Sequence, residues 1–187
     1  MALLTGLGNL AFSAAFAVFV LFAVGDDSAM GLTEPQYGVL LTATAVGAFL
    51  GTFIAERVEK LLGRSRTLVL MIVVTSAAIG VPALTANPWV VGGVLAASGV
   101  TVVLGNVVMV SLRQRVTPNR LLGRVNSAYR LVAWGTMPLG ALLGGLIAST
   151  WGIRATFAVA AVISLSTLGV MRVLTDANID AAERDAE

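Results

Sequence analysis

Six uninterrupted apolar stretches, each close to twenty residues long, constrain this chain more than any other feature of its sequence. They cover residues 3–24, 36–55, 67–86, 89–112, 125–150 and 155–174, labelled a to f in order. An α-helix rises about 1.5 Å per residue, so ~20 residues cross the ~30 Å hydrocarbon core of a bilayer. In lipid every backbone N–H and C=O must find its partner within the protein, which leaves helices or closed barrels as the spanning structures. Barrel strands would be about half this length and alternate in polarity, and none of the six stretches does. The expected fold is all-α and integral to the membrane, with six transmembrane helices in residues 1–174 and a polar tail over 175–187. Spans and short loops occupy the chain, so no room is left for a separate soluble catalytic domain.

The residue inventory narrows the chemistry. Only 12% of the residues are charged, about half the ~25% of soluble domains. There is no His and no Cys, which excludes His-ligated haem, the usual zinc sites, thiol nucleophiles and disulfides. All ten Asp and Glu residues lie in loops, at helix ends or in the tail. A proton relay through membrane carboxylates, or an intramembrane aspartyl protease, therefore cannot be built from this chain alone. No Gly-x4-Gly-Lys-Ser/Thr pattern occurs, so ATP is not the direct energy source. Neither an enzyme nor a metal site is expected. No Lys or Arg precedes stretch a, so the start does not read as a signal peptide.

The separators carry helix punctuation. Thr33-Glu34-Pro35-Gln36 predicts a capping box with Pro in the first turn of b. Asn87-Pro88 divides c from d, and Thr117-Pro118 predicts an N-cap opening a short helix before e. Pro82 and Pro138 fall inside c and e, where membrane helices tolerate them. The charges then give an orientation. Arg57, Lys60, Arg64 and Arg66 follow b; Arg113, Arg115, Arg120 and Arg124 follow d; Arg172 lies in the last turn of f and Arg184 follows it. The other side holds only Arg154, with Asp26, Asp27 and Glu34 between a and b. Positively charged loops stay cytoplasmic, so both termini are expected there. The net charge of +2 is thereby accounted for by topology, and no nucleic-acid partner is expected.

The two halves of the chain repeat one another. Gly47-Ala48-Phe49-Leu50-Gly51-Thr52-Phe53-Ile54-Ala55 in b and Gly140-Ala141-Leu142-Leu143-Gly144-Gly145-Leu146-Ile147-Ala148 in e share six of nine residues. Stretches b and e are each the second of a triplet. Three is an odd number, so the second triplet enters the membrane inverted: two inverted three-helix repeats, an arrangement found among secondary transporters. The Gly47–Gly51 and Gly140–Gly144 pairs read as close-packing contacts between helices.

Polar side chains inside the bilayer are functional candidates because they are costly there. On a these are Asn9 and Ser13, with Phe16 on the same face; on d, Thr101 and Asn106, with Met109 near Thr101's face; on e, Asn126 and Arg130, in line with Trp134 and Met137. These ten residues are the expected lining of a substrate cavity. The competing reading is that Ser, Thr and Asn join helices by hydrogen bonds worth about 0.6–2 kcal/mol. Arg130, under two turns into e, could equally snorkel back to the headgroups.

With topology, repeat and loops taken together, the chain resembles the C-terminal six-helix half of a major facilitator superfamily (MFS) transporter, most of all bacterial drug and siderophore exporters. The most specific stretches are Thr117-Pro118-Asn119-Arg120-Leu121-Leu122-Gly123-Arg124-Val125-Asn126-Ser127 and Trp134-Gly135-Thr136-Met137-Pro138-Leu139-Gly140. They are similar to the family's loop between its tenth and eleventh helices and to the eleventh helix itself. The b–c loop resembles the motif Gly-x3-Asp-Arg-x-Gly-Arg only loosely, through Gly51, Glu56, Arg57, Gly63 and Arg64. Ala55 stands at the Asp position and the spacing from Arg57 to Gly63 is too long, so a gating salt bridge is not carried over.

The resemblance implies that a, b, d and e line the cavity and that c and f are peripheral. It implies alternating access in a bacterial plasma (inner) membrane, with efflux of a drug-like or siderophore-like small molecule. It further implies no cofactor, and an ion gradient whose coupling residues are not in this chain. The partners would be the lipid bilayer, the substrate and a second six-helix half: a missing N-terminal half or a second copy. Met1 at the membrane edge without a basic lead-in suggests a start inside a longer frame. The alternatives are a self-assembling half-size transporter and a membrane fragment or interaction module without transport. The lining candidates suit amphipathic or weakly anionic solutes.

Overall fold

The computed structural model describes residues 2–117 and 119–172. Six helices account for nearly all of them: α1 (Ala2–Ala23), α2 (Glu34–Leu62), α3 (Arg64–Leu84), α4 (Pro88–Val116), α5 (Leu122–Trp151) and α6 (Ile153–Ser166), the last continued by a 3-10 segment over Thr167–Arg172. All six, α6 with its continuation, are long and apolar enough to cross a membrane. Among the described residues extended pairing is limited to one bridge, Val24 with Leu32, between α1 and α2. The tail over 175–187 lies outside the described residues.

The joints follow from local chemistry. The Thr33 N–H donates to Gln36 Oε1 at 2.9 Å, closing the capping box that opens α2. Asn87 caps α4, its Oδ1 accepting from the N–H groups of Trp89 and Val90 at 2.9 and 3.4 Å. Helix α4 ends at Thr117, and a 3-10 turn over Asn119–Leu121 leads into α5. The N-cap expected at Thr117-Pro118 falls partly outside the described residues, because Pro118 does. In each triplet the second helix passes to the third through one glycine: Gly63 at φ +79°, ψ 167° and Gly152 at φ +90°, ψ 161°. That region of backbone space is essentially closed to any residue with a Cβ, so a single Gly reverses the chain without a loop.

The helices pack in the order α2, α4, α3, α6, α1, α5, with α2·α4 and α1·α5 the most intimate pairs. Exchanging α1 with α4, α2 with α5 and α3 with α6 maps this pattern onto itself, as two related three-helix units require. The repeated sequence block explains the intimacy. A methyl at Gly47 would overlap the Ala96 carbonyl, one at Gly140 the Leu10 carbonyl, and one at Gly144 the Ala14 carbonyl. Gly51, which the loop motif counted as its first residue, lies buried in α2 against Val100 of α4. Between the two triplets, Ser76 of α3 and Ser164 of α6 share a buried hydrogen bond of 2.7 Å.

The two intimate pairs share these glycine contacts and differ in what is added to them. On α2·α4 glycine meets glycine-spaced backbone, Gly47 and Gly51 on one side and Gly99 against the Thr44 carbonyl on the other. On α1·α5, side chains bond across to main-chain carbonyls. Asn9 Nδ2 donates to Ala133 O at 2.6 Å, Ser13 Oγ to Met137 O at 2.7 Å and Thr136 Oγ1 to Gly6 O at 2.9 Å. Replacing Asn9 by Leu or Ser13 by Ala should therefore weaken the fold by about 0.6–2 kcal/mol each. Reversible unfolding in bicelles measures it. Unchanged stability in both variants would mean that the bonds are not made.

Two apolar clusters close the bundle at its ends. One joins Phe19, Phe22, Leu40, Ile79 and Phe157, with Phe22 and Phe157 edge-to-face at 5.1 Å. The other joins Leu4, Leu68, Ile72, Val108 and Leu112 at the end that carries the basic residues.

Candidate functional site: an intramembrane cavity

Between these clusters the bundle forms a half-open cavity of about 580 Å³, within the range of small-molecule sites. Helices α1 and α4, the first of each triplet, form its flanks. From α1 come Asn9, Phe12, Phe16 and Phe19; from α4, Ser98, Val102, Asn106 and Met109. Phe12 and Phe16 stack at 5.4 Å, presenting a continuous aromatic wall one helical turn apart. Helix α2 adds Leu41 and Thr44. The back is made by α3 and α6, through Met71, Thr75, Ile79, Phe157 and Ser164. In this half, then, the two helices expected to be peripheral also line the cavity. Helix α5, expected to line it, contributes only Tyr129.

The ten candidates separate accordingly. Asn9, Phe16, Asn106 and Met109 reach the cavity. Ser13 and the Met137 carbonyl are engaged with each other in the α1·α5 interface, outside it. Thr101 is buried and returns its hydroxyl to Ala97 O and Ser98 O of its own helix. Asn126, Arg130 and Trp134 lie exposed on α5, away from the cavity, with the Arg130 guanidinium 5.3 Å from the Trp134 ring. In the loop motif Glu56 pairs with Lys60 at 2.6 Å along α2, and Arg64 lies 3.8 Å from Glu59. The first of these pairs is highly exposed, and such pairs add little to stability.

Four residues outside the ten cavity candidates complete the site: Thr75, Tyr129, Thr5 and Arg113. Thr75, on α3, lines the cavity with a buried hydroxyl that has no hydrogen-bond partner. Tyr129, on α5, spans the basic end. Its hydroxyl is 2.8 Å from Thr5 Oγ1 on α1, and the guanidinium of Arg113 on α4 lies 4.0 Å from its ring centroid. Arg113, Tyr129 and Thr5 thus tie α4, α5 and α1 together across the basic end of the cavity. The signal available in the sequence was positional: Tyr129 follows the polar d–e loop by about two turns of α5.

A multi-pass helical bundle of two related triplets around a solute-sized cavity is the architecture of a membrane permease. A profile of the Major Facilitator Superfamily matches residues 1–185. The chain belongs to that superfamily, whose members are membrane transporters rather than enzymes. No curated protein and no solved structure matches it.

Proposed function

We propose that the chain is one half of a secondary active efflux permease for small molecules of drug-like or siderophore-like kind, working by alternating access. The observation that carries this reading is the cavity between α1 and α4, flanked by the two triplets and backed by α3 and α6. Rocking of two such units about a shared site exposes it first to one side and then to the other. The second unit is a further six-helix half, either a missing N-terminal half or a second copy. On this reading the coupling carboxylates belong to that other half, since among the described residues no Asp or Glu lines this cavity. The basic loops support an orientation with both termini cytoplasmic, and the bacterial plasma membrane setting rests on the resemblance to bacterial exporters.

Uptake of fluorescent amphipathic drugs into inverted vesicles tests the reading, read beside the native mass of the complex. Vesicles holding the chain in a complex of two six-helix units should accumulate drug when an ion gradient is imposed. Vesicles in which the chain is held monomeric should not. Transport by the monomer would overturn the two-unit requirement, and a two-unit complex inert towards every drug tried would leave an interaction module as the better description.

A further inference from the structure

The two joints on the basic side of the bundle differ in how their charge is met. Between α2 and α3, Lys60 pairs with Glu56 at 2.6 Å and Arg64 lies 3.8 Å from Glu59. Between α4 and α5, Arg113, Arg115, Arg120, Arg124 and Arg130 fall within eighteen residues, and no Asp or Glu occurs between Glu59 and Asp176. Arg113 is turned onto the Tyr129 ring. Arg120, Arg124 and Arg130 are exposed and form no ion pair among the described residues. Positive loops orient a membrane protein whether or not acids accompany them. An acid-free run of arginines leaves its counter-charge to come from beyond these helices.

Helix length sets the height at which these arginines stand. Helices α4 and α5 run 29 and 30 residues, about 44 Å at 1.5 Å per residue. That is enough for the ~30 Å hydrocarbon core and a headgroup layer besides. Trp89 at the start of α4 and Trp151 at the end of α5 are both strongly exposed, as suits residues at the outer interface. Counting ~30 Å back along α5 from Trp151 reaches Leu131. Arg130 and the residues before it on α5 therefore stand in the headgroup layer of the basic side. Arg124, Ser127, Arg130 and Trp134 are all exposed and lie within about 65° of one line at 100° per residue. The Arg130 guanidinium is 5.3 Å from the ring of Trp134, one turn deeper. Cations at phosphate height thus lead down to an indole at the edge of the hydrocarbon. A phospholipid presents its phosphate and acyl chains in the same order.

We propose that this side of α5 binds the headgroup of an anionic phospholipid in the cytoplasmic leaflet. Arg124 and Arg130 hold the phosphate, Arg120 adds charge from the turn before α5, and Trp134 lies against the upper acyl chain. The forked donors of a guanidinium match phosphate oxygens better than an ammonium does. Height favours lipid over an acidic side chain of the second half: phosphate surrounds the protein at this level, and the cytoplasmic leaflet carries negative charge. The assignment is independent of what the cavity carries.

Trp134 can serve as the reporter. The sequence holds three Trp, so Trp89→Phe with Trp151→Phe leaves it as the one indole of the purified chain. The protein is placed in phosphatidylcholine bilayers, and phosphatidylglycerol or phosphatidylcholine with dibrominated chains is added at rising fractions to quench its fluorescence. The anionic lipid should be preferred at least about fivefold, the factor that one arginine near the surface contributes. Arg124→Gln combined with Arg130→Gln should bring the two lipids to parity, with quenching by phosphatidylcholine unaltered. Arg57→Gln removes the same charge from the other basic joint and should leave the preference unchanged. Inorganic phosphate in solution should not relieve the quenching. Equal quenching of the parent by both lipids would overturn the proposal and leave this face to the second six-helix half. A preference that survives the double substitution, or that falls as far with Arg57→Gln, would overturn it by reducing the effect to overall charge. Relief by phosphate would overturn it in favour of a soluble-anion site.

Discussion

A leucine in place of Gly144 should prevent assembly of the bundle, whereas a leucine at the adjacent Gly145 should leave it intact. The two positions differ only in what they face. A Cβ at Gly144 would run into the main chain of Ala14 on α1, and one at Gly145 would meet nothing. Overpacking a tight contact by a methylene or two costs about 1–3 kcal/mol when neighbours can move aside. The obstacle at Gly144 is a backbone carbonyl inside a helix, which cannot move without displacing α1. A loss beyond ~3 kcal/mol is expected on that basis, and Gly47→Leu should behave alike, because it faces the Ala96 carbonyl of α4 in the same way. The folded fraction in mild detergent, read by steric trapping, measures both. Equal stability of the Gly144 and Gly145 variants would show that α1 and α5 do not approach as closely as described.

The second large effect is expected at the basic end of the cavity. Arg113 and Tyr129 bring α4 to α5 there, and the Tyr129 hydroxyl continues the bridge to Thr5 of α1. A cation over an aromatic ring is worth about 0.5–2 kcal/mol. Each 1.4 kcal/mol is about tenfold in an equilibrium. Removing the ring by Tyr129→Ala should therefore raise the open population about two- to twenty-five-fold. The chain contains no Cys, so a single thiol introduced at the cavity position Val102 reports on access without background. Its maleimide labelling should accelerate accordingly in Tyr129→Ala and in Arg113→Ala. Tyr129→Phe, which keeps the ring and loses only the bond to Thr5, should fall between them and the parent. Identical labelling rates in all four proteins would mean that the bridge does not control access.

The helices were legible in the sequence because lipid demands long unbroken apolar runs, and the joints were legible because Asn87, Thr33 and Gln36 cap where capping chemistry places them. The inverted pairing was legible too, since the Gly47 and Gly140 blocks mark the two equivalent contacts between the triplets, α2 with α4 and α5 with α1. What the sequence hid was which way each helix turns. In a soluble protein the apolar stripe faces the core, but in a bilayer both core and exterior are apolar, so the stripe points nowhere in particular. Helix α5 shows the consequence. Its polar line through Arg130 and Met137 was a reasonable guess at the inward face. The face that meets α1 runs through Ala133 and Gly140, roughly 70° round the helix at 100° per residue. That rotation sends Arg130 and Trp134 outward and brings Tyr129 to the cavity. Thr75 was hidden for a different reason. One Thr among many Ser and Thr residues gives no sign that its hydroxyl fails to fold back on its own helix.

The stitching of α1 to α5 has a consequence for the order in which the chain is made. Asn9 and Ser13 find their carbonyl partners 124 residues further along, which at about 5–20 residues per second is a wait of roughly 6–25 s during synthesis. Through that interval α1 sits in the membrane with unmatched amide and hydroxyl groups. The glycine-based pair α2·α4 has no such side-chain groups waiting and closes one helix earlier. The nascent protein therefore passes through a stage in which α1 carries polar groups that a chaperone or insertase would shield until α5 arrives.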